Sequence, residues 1–357
     1  MKIALINDTH AGARGDNPVF NEFFFKFWEN TFFPYLEKNN IKTICHLGDV
    51  VDRRKFINFV TLNSWRSRFF DRARDMGIQL EVIVGNHDVT YKNSNDLNAM
   101  DELFSHYSNI NIYKQPIDLN FDGLQIAMVP WINSENYEPS MEFLANTKSQ
   151  IVFGHFEISG FEMDRGNVCQ GGMSREVFNR FDMVMSGHFH HKSNEGSIYY
   201  LGNQYEMTWA DYGDTRGFHV FDTETRELEF IENPYKIFFK LVYNDEKPED
   251  IQFWKNYDFS IYKDVYVKVV VVNKKETFLF DSVIDSLYKA GVLDVSIVED
   301  LSVHSTTNTD DLVNQAEDTM TILNKYIDGM TLDVDNNKLK TYMRELYVEA
   351  LNMQRIE

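Results

Sequence analysis

The sequence predicts an α/β protein with a partly parallel sheet, a smaller second domain and helices at the carboxyl end. Two patterns predict this fold class. Short apolar runs alternate with segments of helical period over roughly the first half of the chain, and each run ends in polar residues able to bind a ligand. After residue 197 the pattern changes to consecutive strands, followed by a strand–helix–strand segment.

Five apolar runs are predicted to be the core strands. They are "KIALI", "TICHL", "LEVIV", "QIVF" and "DMVM". Helical segments separate the first three, because Phe20, Phe23, Phe24 and Phe27 recur at helical spacing and residues 56–76 continue the pattern. Strands that alternate with helices form parallel pairs, so the carboxyl ends of these strands are expected at one edge of a sheet.

The rest of the chain is expected to close a sheet and then start a second domain. "SIYYLGN", "GFHVFD" and "ELEFIEN" are predicted to be consecutive strands of one sheet, and Pro234 marks a boundary. We therefore predict a first domain over 1–235 and a small α/β capping domain over 236–300, in which a helix ends at Gly291. The composition indicates a polar linker over 301–311 and C-terminal helices over 312–357.

The composition indicates a globular protein with an acidic surface. Of 357 residues, 43% are hydrophobic and 25% are charged, and the formal net charge is −20. Nucleic-acid binding usually needs a cationic surface, which this net charge does not provide. One segment differs, since residues 53–74 contain seven Lys/Arg and a single acid. On composition alone, a solvated helix face is favoured for that segment.

Neither a membrane segment nor a disulfide framework is expected. No uninterrupted apolar stretch is long enough to span a bilayer, and the N-terminal run reaches Asp8 and His10 too early for a secretory signal. Cys45 and Cys169 are too few and too far apart for a disulfide scaffold. We therefore expect a protein of the reducing cytoplasm.

Residues with metal-binding side chains follow all five predicted strands. In chain order they form Asp8-x-His10, Gly48-Asp49-x-x-Asp52, Gly85-Asn86-His87-Asp88, Gly154-His155 and Gly187-His188-x-His190. Any one of these motifs is weak, but all five at strand ends form a specific pattern. The mixture of carboxylate, imidazole and amide groups suits a divalent metal ion better than the thiolate sites that bind structural zinc.

The number of candidate ligands points to two metal ions. The candidates are Asp8, His10, Asp49, Asn86, His155, His188 and His190. One ion does not take so many protein ligands while keeping an open position, so Asp49 is expected to be shared between two ions. Two ions about 3.5–4 Å apart lower the pKa of a shared water and stabilise the attacking and leaving oxygens of a displacement. His191 is expected to lie outside this set.

The five motifs resemble those of the calcineurin-like metallophosphoesterase superfamily. Over about residues 1–235 the resemblance implies a β-sandwich flanked by helices and metal-dependent hydrolysis of phosphate esters. It assigns Asp8, His10, Asp49 and His190 to one ion, and Asp49, Asn86, His155 and His188 to the other. It also implies that His87 contacts the scissile phosphate and acts as general acid, that Asp88 orients His87, and that the metal is Mn²⁺, with Mg²⁺ as the alternative.

Within the superfamily, the layout is most similar to the SbcD-type nucleases of DNA double-strand-break repair, and more narrowly to the recombination nuclease subunits of T-even phages. The similarity lies in helices near 56–76 and 95–107, the tract "GNQYEMTWADYGDTRGFHVFD" and the small domain before terminal helices. It implies exonuclease and endonuclease activity in DNA recombination, repair and replication, with the capping domain contacting DNA. It further implies a homodimer through 56–76 and 95–107 and an SbcC-type coiled-coil ABC ATPase bound by the C-terminal helices. The chain departs from these relatives at Gly202-Asn203-Gln204, where they usually have Gly-Ser-Pro.

Basic and apolar residues near the second motif are candidates for these contacts. The candidates for contact with DNA are Arg14, Arg53, Arg54, Lys55 and Arg66. The candidates for the dimer interface are Phe56, Phe59, Leu62, Phe69 and Phe70. At helical spacing the same aromatic residues are also compatible with an ordinary hydrophobic core.

Two other functions remain open from the sequence. "GDVVDR" also resembles the Ser/Thr phosphatases, so a phosphomonoesterase or protein phosphatase is the alternative on the same fold. Those enzymes normally place Arg before the Gly-Asn-His triplet, where this chain has Val84. A non-catalytic scaffold on this fold would be expected to have lost metal ligands, and this chain keeps every one.

Overall fold

The computed structural model describes residues 1–164, 166–299, Ile327, 338–340 and 342–343. The chain divides into two compact units, Met1–Tyr235 and Lys236–Glu357. In this described part of the chain, no helix has both the length and the apolar character needed to cross a bilayer. The predicted linker over 301–311 and most of the predicted helices over 312–357 lie outside the described residues.

The first unit contains two large sheets and the helices around them. Its strands are β1 (Lys2–Ile6), β2 (Thr43–Leu47), β3 (Gln79–Ile83), β4 (Val89–Tyr91), β5 (Ser94–Asn98), β6 (Ile110–Tyr113), β7 (Ile117–Phe121), β8 (Leu124–Val129), β9 (Ile151–His155), β10 (Glu162–Asp164), β11 (Asn167–Val168), β12 (Met183–Gly187), β13 (Ser193–Glu195), β14 (Ile198–Tyr200), β15 (Gly217–Asp222) and β16 (Leu228–Glu232). Its helices are α1 (Ala13–Asp16), α2 (Pro18–Phe27), α3 (Phe33–Lys38), α4 (Phe59–Trp65), α5 (Asp71–Asp75), α6 (Ala99–Phe104) and α7 (Tyr137–Asn146).

The two sheets form a β-sandwich, which confirms the predicted α/β fold. Their strand orders are β16-β15-β1-β2-β3-β6 and β13-β14-β12-β9-β8-β7. Strands β1, β2 and β3 are parallel to one another, as are β8, β9 and β12. Apolar side chains from both sheets pack together between them, among them Leu5, Leu47 and Ile83 of the first sheet and Met128, Phe153 and Met185 of the second. Burial of these side chains is the main force that holds the sandwich together.

Helices cover the outer faces of the sandwich. On the first sheet, Phe27 and Phe32 contact Phe218 of β15, with ring centroids 6.2 and 4.8 Å apart. Two π-helical turns, Trp28–Phe32 and Arg66–Phe70, join α2 to α3 and α4 to α5. On the second sheet, Leu144 of α7 belongs to a buried cluster with residues of β8, β9 and β12.

The structure corrects three of the predicted elements. Strand β14 lies in the second sheet, whereas β15 and β16 lie in the first. The segment predicted as helical over 95–107 starts as strand β5, and α6 begins at Ala99, because the Asn98 side chain accepts a hydrogen bond from the Asp101 amide and caps the helix there. The segment predicted as helical over 56–76 begins at Phe59, since Asn58 caps it in the same way through the Val60 amide.

The second unit is a small α/β domain. Over the described residues 236–299 it contains β17 (Phe238–Asn244), α8 (Pro248–Lys255), β18 (Tyr266–Asn273), α9 (Thr277–Ala290) and β19 (Asp294–Glu299), and these three strands are parallel. Asp245 fixes the start of α9 by accepting hydrogen bonds of 2.7 Å from the amides of Lys275 and Glu276. Gly291 ends α9 at a φ of 87°, a left-handed conformation that favours glycine.

Candidate metal centre

The fold brings the predicted ligands from five segments of chain to one edge of the sandwich. Asp8 and His10 follow β1, Asp49 follows β2, and Asn86 follows β3. From the second sheet, His155 ends β9, while His188 and His190 follow β12. Potential ligand atoms lie within 4.8 Å of one another in three overlapping groups, namely Asp8–His10–His190, His10–Asp49–His87 and Asp49–His155–His188.

The first group of side chains contains Asp8, His10 and His190. The Nε2 atoms of His10 and His190 are 3.1 Å apart. Asp8 Oδ1 lies 3.9 Å from His10 Nε2 and 4.0 Å from His190 Nε2. Asp49 Oδ2 is also 3.9 Å from His10 Nε2. The carboxylates of Asp8 and Asp49, which follow two neighbouring strands, therefore both face the His10 imidazole.

The group of Asp49, His155 and His188 surrounds Asn86. Asn86 Oδ1 lies 2.8 Å from His155 Nε2 and 2.9 Å from His188 Nδ1. Asp49 Oδ2 is 3.4 Å from His155 Nε2. Asp49 is thus close to both groups, which is the position that the sequence predicted for a shared ligand.

Unusual backbone geometry places these side chains. Asp8, His10, Asp49 and His188 have φ values of 49°, 43°, 58° and 84°, in the region that non-glycine residues rarely adopt. Such strain is found mainly at functional sites, where the surrounding fold compensates for it. Gly85 is needed for a different reason, because a Cβ atom there would lie 2.2 Å from the Asp49 amide nitrogen.

Burial and charge favour a cation at this position. Burial lowers the pKa of His10 and His188 well below the ordinary value, so both imidazoles are neutral and have a lone pair to offer. Burial opposes ionisation of Asp49, but the neighbouring histidines His155, His87 and His10 together outweigh it and lower the pKa of Asp49 well below its ordinary value. Asp8 Oδ1 is buried without a hydrogen-bond partner in the described part of the chain. A cation would supply that missing interaction, so the residues fit a divalent metal ion.

His87 lies beside the first group. Its Nδ1 is 2.6 Å from the backbone oxygen of Asp52, and because a carbonyl can only accept, Nδ1 carries the proton and Nε2 is left free. The His87 ring stands perpendicular to that of His10, with centroids 4.8 Å apart. Burial opposes its protonation, but the charges of Asp49 and Asp52 outweigh burial and raise the pKa of His87.

The prediction that Asp88 orients His87 is wrong. The Asp88 carboxylate is fully buried and accepts hydrogen bonds of 2.8–3.1 Å from four backbone amides, those of Asp49, Val50, Val51 and Gly85. Asp88 therefore ties the turn after β2 to the turn after β3. Its role is to hold Asp49 and Asn86 in register, and the Asp52 carbonyl orients His87 instead.

The predicted DNA-contact residues differ in their surroundings. Arg14, Lys55 and Arg66 are exposed. Arg53 forms an ion pair with Asp16, and Arg54 donates a hydrogen bond of 2.9 Å to the Asn86 carbonyl. Arg14, Lys55 and Arg66 are therefore more accessible to a phosphate than Arg53 and Arg54 are.

The predicted dimer-interface residues also differ in exposure, and Leu62 is only partly exposed. Phe56 and Phe59 are 64% and 85% exposed, and their neighbour Val60 is 74% exposed. Phe69 and Phe70 are each 1% exposed, because they pack inside the aromatic layer around Trp28, so as interface residues they were predicted wrongly.

Sequence reasoning missed Arg216, which supports the His190 loop. Its guanidinium is 4% exposed and donates to the His190 carbonyl and to the side chains of Asn203, Asp211 and Asp214. Asn203 is the position at which the chain departs from the Gly-Ser-Pro of its predicted relatives, and its amide also donates to the His190 carbonyl. His191, 2.7 Å from Asp214, belongs to none of the three groups, as expected.

Known proteins resemble this chain in sequence. Residues 1–192 match the calcineurin-like phosphoesterase family. The chain is 30% identical to "Exonuclease subunit 1" of Enterobacteria phage T4 over 98% of this chain and 99% of the relative. It is 28% identical to the D component of the SbcCD nuclease of Staphylococcus epidermidis over 32% of this chain and 37% of the relative. A solved archaeal phosphodiesterase covers 65% of this chain at 14% identity with a TM-score of 0.32, a likeness too weak to support an argument.

The family match covers more than half of the chain and includes all five motifs whose side chains converge in the structure. The phage relative aligns over almost the entire length of both proteins. This chain belongs to the calcineurin-like phosphoesterase family.

Proposed function

We propose that this protein is a metal-dependent DNA nuclease, the hydrolytic subunit of a complex for DNA end processing in recombination and repair. The observation that supports this most is the convergence of two groups of imidazoles and carboxylates on Asp49, with His87 beside them. Both relatives described above are nucleases by name. The reaction is hydrolysis of a phosphodiester, in which water attacks phosphorus and the leaving oxygen takes up a proton.

Asp8, His10, Asp49 and His190 would hold one metal ion, and Asp49, Asn86, His155 and His188 the other. The metal is Mn²⁺, with Mg²⁺ as the alternative. Two such ions, when bound, would lower the pKa of water and neutralise charge on the phosphate oxygens. His155 has its pKa raised to about 9, because Asp49 outweighs the effect of burial, so metal binding would release a proton from this ring.

His87 supplies the proton that the leaving oxygen needs. Its Nδ1 proton is engaged by the Asp52 carbonyl at 2.6 Å, which fixes the ring and leaves Nε2 for the substrate. The charges of Asp49 and Asp52 raise the pKa of His87, which favours the doubly protonated ring that a general acid needs. The protonated ring donates first to the scissile phosphate and then gives this proton to the departing deoxyribose oxygen.

A comparison of small esters tests the nuclease against a phosphatase. With Mn²⁺ present, we expect the hydrolysis rate to be at least about tenfold higher on bis(p-nitrophenyl) phosphate than on p-nitrophenyl phosphate. A tenfold ratio corresponds to a difference of about 1.4 kcal/mol between the two activation free energies. The position where phosphatases have Arg is occupied here by Val84. This side chain is fully buried and provides no cation to bind a dianionic monoester. Release of nitrophenolate measures both rates, and chelation of the metal should abolish both. A preference for the monoester would contradict the nuclease assignment.

DNA reaches the site along the exposed basic residues Arg14, Lys55 and Arg66, which lie on the segments that follow β1 and β2. Such residues contact phosphates and position the duplex without selecting a sequence. The small domain over 236–300 provides a further contact with DNA.

A homodimer forms through the apolar patch Phe56–Phe59–Val60 at the start of α4. These side chains are 64–85% exposed, an unfavourable state that a partner surface would relieve. We expect Phe59→Glu to convert the dimer to a monomer in sedimentation velocity experiments. Phe278→Glu is the matched control, since Phe278 is 90% exposed in the second unit. The proposed interface is wrong if Phe59→Glu sediments as the wild-type dimer does.

The segment over 312–357, which the sequence predicts to be helical, binds a coiled-coil ABC ATPase. Both relatives are named as subunits, and the sequence predicts a polar linker over 301–311 before this segment. We expect deletion after Leu301 to abolish co-purification with the ATPase and to leave Mn²⁺-dependent hydrolysis of bis(p-nitrophenyl) phosphate unchanged. A complex that survives the deletion would show that the ATPase binds elsewhere.

A further inference from the structure

Trp131 packs against two of the histidines of the metal centre. Its ring centroid is 5.1 Å from that of His188 and 6.0 Å from that of His155. All three residues lie at the carboxyl ends of adjacent parallel strands, β8, β12 and β9. Trp131 belongs to none of the five sequence motifs, because those motifs consist of metal-binding side chains and tryptophan is not one.

The backbone of Trp131 is held at both of its polar atoms. Its amide donates to the Val84 carbonyl at 2.8 Å, which ties it to the segment that carries Asn86. Its carbonyl accepts hydrogen bonds of 2.8 and 3.0 Å from the side chains of Asn95 and Asn136. Both asparagines are buried and bond to Asn133, so the tryptophan is fixed by a network of buried amides.

The two histidines differ in what orients their rings. His155 Nδ1 donates to the Leu47 carbonyl at 2.7 Å, which leaves Nε2 for a ligand. His188 has Nδ1 facing Asn86, and its Nε2 lies 3.9 Å from Glu157 Oε2, beyond hydrogen-bond distance. His188 is therefore held by a hydrogen bond to Asn86, which is itself a proposed ligand, and by ring contact with Phe189. Its other nitrogen lacks the backbone hydrogen bond that His155 has, and the indole of Trp131 is a further surface against the ring.

We propose that Trp131 is a positioning residue that holds the His188 imidazole, and with it His155, in the orientation needed to bind the second metal ion. This inference rests on the proposed function. A metal-binding histidine usually has its ring orientation set by a hydrogen bond from its other nitrogen. For His188, packing of the Trp131 indole against the imidazole sets the ring orientation. The buried asparagines hold the backbone of Trp131 in place and so position the indole.

The test is titration of the full metal-free chain with Mn²⁺ by calorimetry. We expect wild type to bind two ions and Trp131→Ala to bind one of them about 10–100-fold more weakly, the range seen when residues supporting a ligand are lost. Trp131→Phe, which keeps an aromatic plane, should stay within a few-fold of wild type. Tyr137→Ala is the control, since Tyr137 is an aromatic residue of the next helix and is 48% exposed.

Thermal unfolding of the metal-free variants separates positioning from general stability. We expect Trp131→Ala to keep the Tm of wild type. If its Tm falls, the variant to compare is Trp131→Leu, which fills more of the space but has no aromatic plane. Trp131→Leu should then bind Mn²⁺ as weakly as Trp131→Ala does. Two ions bound with wild-type affinity by both variants would overturn the inference. Unchanged Mn²⁺ binding with a raised KM for DNA would also overturn it, since Trp131 would then contact the substrate. Fewer than two ions bound by wild type would instead overturn the proposed two-metal function.

Discussion

Replacement of His87 by alanine is expected to lower kcat on DNA ends by about 10²–10⁴-fold, the contribution of a general acid. The reason is that Nε2 of His87 is the atom free to protonate the leaving oxygen, since Nδ1 is bound to the Asp52 carbonyl. Mn²⁺ binding should be unchanged, because the seven proposed ligands remain. Single-turnover cleavage of a duplex and calorimetric titration with Mn²⁺ measure the two effects.

The leaving group provides the control for this role. A nitrophenolate leaves without protonation, so His87→Ala should slow hydrolysis of bis(p-nitrophenyl) phosphate far less than hydrolysis of DNA. His87→Gln adds a second comparison, because an amide can donate a hydrogen bond to the phosphate but cannot transfer a proton. Full activity of His87→Ala on duplex ends, or equal losses on the two substrates, would rule out the role as general acid.

Asp49→Asn is expected to weaken binding of both metal ions and to lower the diesterase rate by about 10³-fold or more, because the lost charge stabilisation is several kcal/mol. Asp49 is the carboxylate close to both groups of ligands, and its low pKa keeps it ionised at neutral pH. In wild type the His87 backbone N–H donates a hydrogen bond of 2.7 Å to Asp49 Oδ1. The asparagine side chain keeps an oxygen that can accept this bond but lacks the negative charge. Calorimetric titration with Mn²⁺ measures the stoichiometry and both affinities.

Glu81→Gln is the matched control for Asp49→Asn. Glu81 is a carboxylate 8% exposed on the neighbouring strand β3, where it accepts hydrogen bonds from Asn111 and Tyr113. Its replacement removes one buried negative charge outside the three groups of ligands, so both Mn²⁺ ions should still bind. If Asn at position 49 bound two ions with wild-type affinity, Asp49 would not be the shared ligand.

The strands and the seven proposed ligands could be located from the sequence because both depend on local patterns. Apolar runs such as those at β2 and β9 are buried along their length, and such runs are typical of parallel strands. The residues that follow them reach the same edge of the sandwich because parallel strands end together. The boundaries of elements were predicted less reliably where a helix cap sets them. At Asn98, for example, β5 ends and α6 begins.

The partners of the site residues depended on contacts between distant parts of the chain. Asp88 follows His87 directly, yet its carboxylate binds the amides after β2, which lie 37–39 residues earlier. Phe69 and Phe70 are as apolar as Phe59, and only packing against Trp28 and Phe104 makes them core. No pattern in the sequence distinguishes these cases, because burial is a property of the assembled layers.

By itself, the sequence determined which side chains stand at the ends of the central strands, since hydrophobic periodicity and turn residues act over a few positions. Only the tertiary structure decided what each of those side chains touches. Trp131, Asn136 and Arg216 became relevant through hydrogen bonds and ring contacts that join separate segments around the two sheets. Such contacts depend on the distance and the angle at which the two sheets pack face to face. No short stretch of residues encodes that distance or that angle.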